Sequence, residues 1–179
     1  MMVVQIKFLK GKEILPELDR KIEEIDQLAF ADEDRDDPDL KGIEWSASQW
    51  MALAFINNQL VSQLGMLKRE ILVGKSVIPV VGVGGVATHP QWQKRGLASQ
   101  LLKASESFMR DQFKLPFGLL VCAGETQPLY AGCGWQPVAQ SLKFIQEGQR
   151  RTINTVVMVL LLSTQPWPPG EIDLCGLPW

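Results

Sequence analysis

Gly85-Val86-Ala87-Thr88-His89-Pro90-Gln91-Trp92-Gln93-Lys94-Arg95-Gly96-Leu97-Ala98 joins an apolar run to an amphipathic one across a proline-containing break. Upstream, Val77 to Thr88 is apolar on both faces, the pattern of a central strand covered above and below. Downstream, Leu97, Leu101, Ala104, Phe108 and Met109 recur at helical spacing and predict a helix over Gln93 to Phe113. A helix start exposes unpaired N–H groups and a partial positive charge. Small residues at Gly96 and Ala98 let an anion approach the backbone, and Lys94 and Arg95 add charge nearby. The same residues also fit a plain helix start with two solvated basic side chains.

A second glycine-rich reading competes at Gly82-Val83-Gly84-Gly85-Val86-Ala87, formally G-x-G-x-x-A after a strand. A dinucleotide fingerprint needs its helix to open inside the motif, so that the helix N-terminus meets the pyrophosphate. Here the run continues into Thr88-His89-Pro90, so a nicotinamide-dependent oxidoreductase is disfavoured.

Working outward, Val3 to Leu9 reads as a strand. Lys12 to Phe30 carries Ile14, Leu15, Leu18, Ile22, Ile25, Leu28 and Ala29 on one helical stripe. Trp50 to Ile56 and Leu60 to Val73 read as strands joined at Asn57-Asn58, and Gly74-Lys75 makes the next hairpin turn. Phe117 to Cys122 is a buried strand, Thr126 a candidate cap for a short helix to about Cys133, and Gly134 its stop. Val138 to Ile145 and Ile153 to Leu162 close the pattern. The expected fold is one mixed α/β (α+β) domain over residues 1–179, with a mostly antiparallel sheet.

Composition narrows the function. Eighteen basic against twenty acidic residues give a net charge of −2, so no overall basic field favours nucleic acid. Three widely spaced cysteines and a single histidine make neither a zinc set nor a disulfide framework, which fits a reducing, cytoplasmic setting and no metal. No signal-peptide pattern opens the chain, and Val156 to Leu162 is too short to cross a bilayer as a helix, so no membrane role is expected.

The stretch Gly85 to Ala98 resembles the acyl-CoA-binding core of the GNAT superfamily of N-acetyltransferases, where a hydrophobic strand and a proline precede Q/R-x-x-G-x-G/A. Pro128-Leu129-Tyr130-Ala131-Gly132-Cys133-Gly134-Trp135 is similar to the family's second signature, L-Y-x-x-x-G-F/W. The Trp-terminated stretch Gly170 to Trp179 resembles the tail of the aminoglycoside 2′-N-acetyltransferase type.

The resemblance implies a GNAT fold of six to seven strands, splayed where Val86, Ala87 and Thr88 part from the strand after Phe117. It implies acetyl-CoA as co-substrate, with its pantetheine arm in that gap. The cofactor-holding set is then Val86, Ala87, Thr88, Gln93, Lys94, Arg95, Gly96, Leu97, Ala98, Ser99 and Thr126. The Val86 N–H polarises the acetyl carbonyl. Tyr130, the single tyrosine, protonates the leaving thiolate; read alone, without the resemblance, it is better taken as a residue packing the short helix. Many relatives carry a glutamate on the central strand as base. This chain has Gly82, Gly84 and Gly85 there, which leaves Glu44, Asp173 and the Trp179 carboxylate as candidates, or leaves the glycines as room for the acceptor.

The acceptor expected is a small, cationic primary amine. Six carboxylates between Asp32 and Asp39 form either a solvated loop or an electrostatic rim. Trp45 and Trp50 wall the acceptor pocket or pack the hairpin. His89 is expected outside the chemistry, and Cys122 is expected to be an inert small hydrophobe. A non-catalytic acyl-CoA-binding module is the alternative. The assembly expected is a monomer or a homodimer.

Overall fold

The computed structural model describes residues 3–31 and 40–179. The acidic run from Asp32 to Asp39 lies outside the described residues. The chain runs β1 (Gln5–Lys10), α1 (Pro16–Phe30), β2 (Trp50–Ile56), β3 (Gln59–Val73), β4 (Ser76–Thr88), α2 (Leu97–Phe108), β5 (Phe117–Cys122), α3 (Gln127–Ala131), β6 (Gln136–Val138), β7 (Leu142–Gln146), β8 (Gln149–Ile153), β9 (Val156–Leu161) and β10 (Ile172–Asp173). The strands form one sheet, ordered β6-β9-β5-β4-β3-β10-β7-β8, with β2 and β1 branching from β3.

The mixed, mostly antiparallel sheet is as expected, but it has ten described strands rather than six or seven. Two differences account for the excess. The expected strands Val138 to Ile145 and Ile153 to Leu162 are each split, so that β7 and β8 form a hairpin turning at Glu147 (φ 52°) and Gly148 (φ 74°). The strand Gln149–Ile153 is exposed at all but its last residue, so no apolar alternation marks it. The second addition, β10, fits between β3 and β7, antiparallel to Leu72–Val73 and parallel to Leu142–Lys143.

Turn chemistry behaves as the residues dictate. Asn57 (φ 49°) and Asn58 (φ 63°) both adopt the left-handed conformation that a two-residue hairpin demands, and Gly74 (φ 60°) opens the next. The long strand β3 is shared along one edge, by β2 over Gln59–Met66 and by β10 at Leu72–Val73, while β4 covers its other edge.

Helix α1 seats Ile22 and Ile25 on Leu53, Leu60 and Ala87. Helix α2 seats Leu97, Leu101 and Leu102 in a cluster with Leu64, Val81, Val83, Leu120, Tyr130 and Trp135. Burying one such leucine contributes roughly 2–3 kcal/mol. A third cluster joins Leu67, Val80, Phe117, Leu119, Phe144, Ile172 and Trp179, so the C-terminal segment is part of the core. Among the described residues no helix is long and apolar enough to cross a membrane.

Candidate functional site

Strands β4 and β5 run parallel and pair only at Val80–Phe117, Val81–Gly118 and Gly82–Leu119. Beyond that point β4 continues to Thr88, bonded to β3, and β5 continues to Cys122, bonded to β9. The sheet therefore forks, and the facing edges of the two strands no longer pair with each other. Backbone N–H and C=O groups must find partners when buried, so such a fork suits an extended ligand carrying amides.

Beside the fork, β4 bulges. Between Gln63 and Gly65 on β3 the partner advances from Ala87 to Gly84, one residue more on β4 than on β3. Gly85 takes φ +58°, and a Cβ there would meet nothing, so conformation and not space demands the glycine. A bulge of this kind re-aims the neighbouring backbone, here Val86.

The linker from β4 to α2 is tightly folded. Pro90–Trp92 forms a 3-10 turn, with Gln91 N–H donating to His89 Nδ1 at 3.3 Å. Gln93 Nε2 donates to the Thr88 carbonyl at 3.1 Å, while Arg95 donates to the Gln91 carbonyl at 3.3 Å and lies over the Trp92 ring at 4.9 Å. The helix expected from Gln93 begins four residues later, at Leu97, because Lys94 (φ 60°) and Gly96 (φ 74°) are left-handed and cannot continue a right-handed turn. Its far end is likewise shorter, since Met109–Phe113 closes as a π-helical turn. Lys94, Arg95 and Gly96 are exposed, and a Cβ on Gly96 would meet nothing within 4 Å. The N–H groups of Leu97, Ala98 and Ser99, in the first turn of α2, have no intrahelical partner. The open backbone at Gly96 and these N–H groups fit a phosphate-bearing group.

Helix α3 brings Tyr130, 8% exposed, into the cluster holding Val83, Leu97, Leu120 and Cys122, the residues that flank the fork. The helix ends at Ala131 with Gly132 as its C-cap, two residues short of the expected end at Cys133, and Gly134 (φ 88°) closes the turn that follows, where Cys133 and Trp135 N–H both donate to the Tyr130 carbonyl. Thr126 precedes α3 but does not cap it by side chain: its Oγ1 bonds the Ala123 carbonyl at 3.0 Å, because its own backbone is already helical. Burial pushes the Cys122 thiol pKa up, against a hydrogen bond from Thr126, which disfavours the thiolate.

The opposite side of β4 carries the C-terminal segment. A Cβ on Gly82 would overlap the Trp179 indole, and one on Gly84 would lie 2.5 Å from the Trp179 main chain. The room made by these two glycines is thus filled by Trp179 and not left for an acceptor. The indole Nε1 donates to the Leu119 carbonyl at 3.0 Å, at the last β4–β5 pair. Arg69 lies over the indole at 5.1 Å, donates to the Leu177 carbonyl at 2.5 Å and to Ser46 Oγ at 2.9 Å. Burial lowers the Arg69 pKa.

Of the acceptor-side residues read from sequence, only Trp179 touches the β4 glycines. Asp173 pairs with Arg150 at 2.9 Å, accepts the Cys175 N–H and aligns with Leu72, at the end of β3 remote from the bulge. Glu44 is exposed, and its N–H donates to Gln146 Oε1 at 2.9 Å. Trp50 packs edge-on to Phe108 and Phe113, in the α2 core, whereas Trp45 is 44% exposed. Ser46 and Arg69 carry no motif; chain folding brings them to this face across long separations, and no sequence signal marks them.

A family model described as an acetyltransferase (GNAT) domain matches residues 17–138. Solved structures give similar folds. Escherichia coli ElaA superposes with a TM-score of 0.62 at 16% identity, covering 88% of this chain and 99% of that one. An acyl-CoA N-acyltransferase from Pseudomonas aeruginosa gives 0.59 at 14% identity, covering 88% and 99%. The GNAT-family N-acetyltransferase YhbS from Escherichia coli, solved in complex with CoA, gives 0.63 at 14% identity, covering 97% and 89%. A search of curated proteins gives no match.

Proposed function

Since the chain belongs to the GNAT acetyltransferase family, we propose that residues 1–179 act as one catalytic domain. It moves an acetyl group from acetyl-CoA to the primary amine of a small cationic acceptor by direct attack. The observation that carries this reading is the fork at Gly82–Leu119, with the Gly85 bulge beside it and the open start of α2 following β4.

Acetyl-CoA supplies an activated acyl carbon and a thiolate leaving group. The chain's own residues do the rest. Main-chain N–H groups from Gln93 to Ser99 bind the diphosphate, and Lys94 and Arg95 supply positive charge. The unpaired edge of β4 from Val86 to Thr88 hydrogen-bonds the pantetheine arm, with Thr126 at the far lip of the fork. Val86 N–H, re-aimed by the bulge, polarises the acyl carbonyl. Tyr130 donates a proton to the departing sulfur; a phenol with a reference pKa of about 10 holds its proton at neutral pH.

The candidate acceptors are a polyamine, an amino sugar and an aminoglycoside, each a small cationic amine. Trp179, packed on Gly82 and Gly84, walls that side of the pocket. Glu44 and Asp173, away from the bulge, bear at most on the acceptor's outer charges. The setting is cytoplasmic, with no metal, nucleic acid or membrane involved, and the chain acts as a monomer or homodimer.

Thiol release from acetyl-CoA, measured against a panel of primary amines, tests the reading. Amine-dependent release is expected for at least one cationic amine. Acetyl-CoA binding without release by any of them would assign the chain to the non-catalytic class.

A further inference from the structure

Trp179 and Tyr130 lie on opposite faces of the forked sheet. Val81 and Val83 pack in the cluster that holds Tyr130, while Val80 packs in the one that holds Trp179. Strand alternation puts Gly82 and Gly84 on the Val80 face. The sheet therefore stands between phenol and indole as far as Gly82 and Leu119, and beyond that pair β4 and β5 no longer close it.

Trp179 seals the vertex of this fork from its own face. The indole lies where a Gly82 Cβ would be, and its Nε1 reaches across to the Leu119 carbonyl at 3.0 Å. The Trp179 main chain covers Gly84, further along the β4 arm, whereas Gly85 is exposed. The segment is also held without the indole. The Pro178 carbonyl accepts the Ser46 N–H at 2.7 Å, the Leu177 carbonyl accepts from Arg69 and from Ser46 Oγ, and the Gly176 carbonyl accepts the Ile145 N–H at 3.0 Å. The space that the indole fills belongs to an apolar cluster with Leu67, Val80 and Leu119, a setting that suits a methylene chain.

On the acetyl-CoA reading above, on which this rests, the pantetheine arm enters the fork from the Thr88 end and its acyl group leads toward the vertex. Gly84 precedes Val86 by two residues, at most about 7 Å along the strand. Acyl carbons beyond the carbonyl held by the Val86 N–H therefore head for Trp179, while an acceptor approaches over the exposed Gly85. We infer that Trp179 limits the length of the acyl chain: an acetyl group fits between Val86 and Trp179, and a hexanoyl chain does not. Close-packed interiors resist added methylenes, so the limit is steric.

The test measures calorimetric Kd values for acetyl-, butyryl- and hexanoyl-CoA, a readout that needs no acceptor. It compares wild type, Trp179→Ala and the double variant Gly82→Val/Trp179→Ala. Wild type is expected to bind hexanoyl-CoA at least about tenfold more weakly than acetyl-CoA, with butyryl-CoA between them. In Trp179→Ala the three affinities are expected to fall within about threefold of one another. Valine at Gly82 refills the vertex, so the double variant is expected to regain at least about fivefold discrimination. If Trp179→Ala does not fold, Trp179→Phe, which keeps a smaller ring over Gly82, takes its place and is expected to ease hexanoyl-CoA binding in the same direction. Equal affinities in wild type, or a wild-type profile in the Trp179 single variant, would overturn Trp179 as the limit while leaving the transferase reading intact. A relaxed profile that persists in the double variant would overturn it too, by tracing the effect to general loosening. A wild-type protein that binds none of the three thioesters would sink both.

Discussion

Replacing Tyr130 by phenylalanine is expected to lower kcat by roughly 10- to 10³-fold while leaving acetyl-CoA affinity within about twofold. The substitution removes one oxygen and keeps the ring. Tyr130 is 8% exposed and packs with Val83, Leu97, Leu120 and Cys122, so an isosteric ring preserves the wall of the fork. On the proposed mechanism, the lost hydroxyl is the proton donor to the departing thiolate. Steady-state kinetics with calorimetric Kd values separates these effects. A wild-type kcat in the variant would remove Tyr130 from the chemistry, and a collapse of cofactor binding would make its role structural.

The second large effect is on stability. Gly82→Val is expected to cost about 3 kcal/mol, because its side chain would enter the volume of the Trp179 indole. For a chain of this size that lowers Tm by roughly 6–12 °C. The mechanism predicts strong non-additivity. Trp179→Ala alone leaves a cavity and costs about 3–5 kcal/mol. Combined with Gly82→Val, it admits the new side chain, so the double variant should be more stable than the sum of the two single changes. Thermal unfolding of the four proteins measures the coupling. Additive losses would mean that the tail does not rest on Gly82 in solution.

The fold was legible where local chemistry and tertiary packing agree. The strands Trp50–Ile56 and Phe117–Cys122 fall at the residues their apolar runs mark, and the turns at Asn57-Asn58 and Gly74 use the residues those conformations require. Strand β8 was not legible, because four of its five residues face solvent and leave no period to read. Nor was β10, whose two residues are strand only because β3 and β7 lie on either side. The start of α2 was misplaced because Lys94 adopts a positive φ that no lysine announces.

The proposed cofactor side lies in contiguous residues, where the bulge at Gly85 and the left-handed turn at Gly96 use glycines the sequence displays. The acceptor side was not. The three glycines of β4 read as empty space, and only the tail's return along the sheet shows that Gly82 and Gly84 make way for Trp179.

A crystal structure of the protein with CoA is the decisive measurement. The diphosphate is expected within hydrogen-bonding distance of the main-chain N–H groups between Gln93 and Ser99, the pantetheine arm in the fork beyond Gly82 and Leu119, and the sulfur beside the Tyr130 hydroxyl. CoA seated away from the start of α2, or a sulfur remote from Tyr130, would contradict that placement.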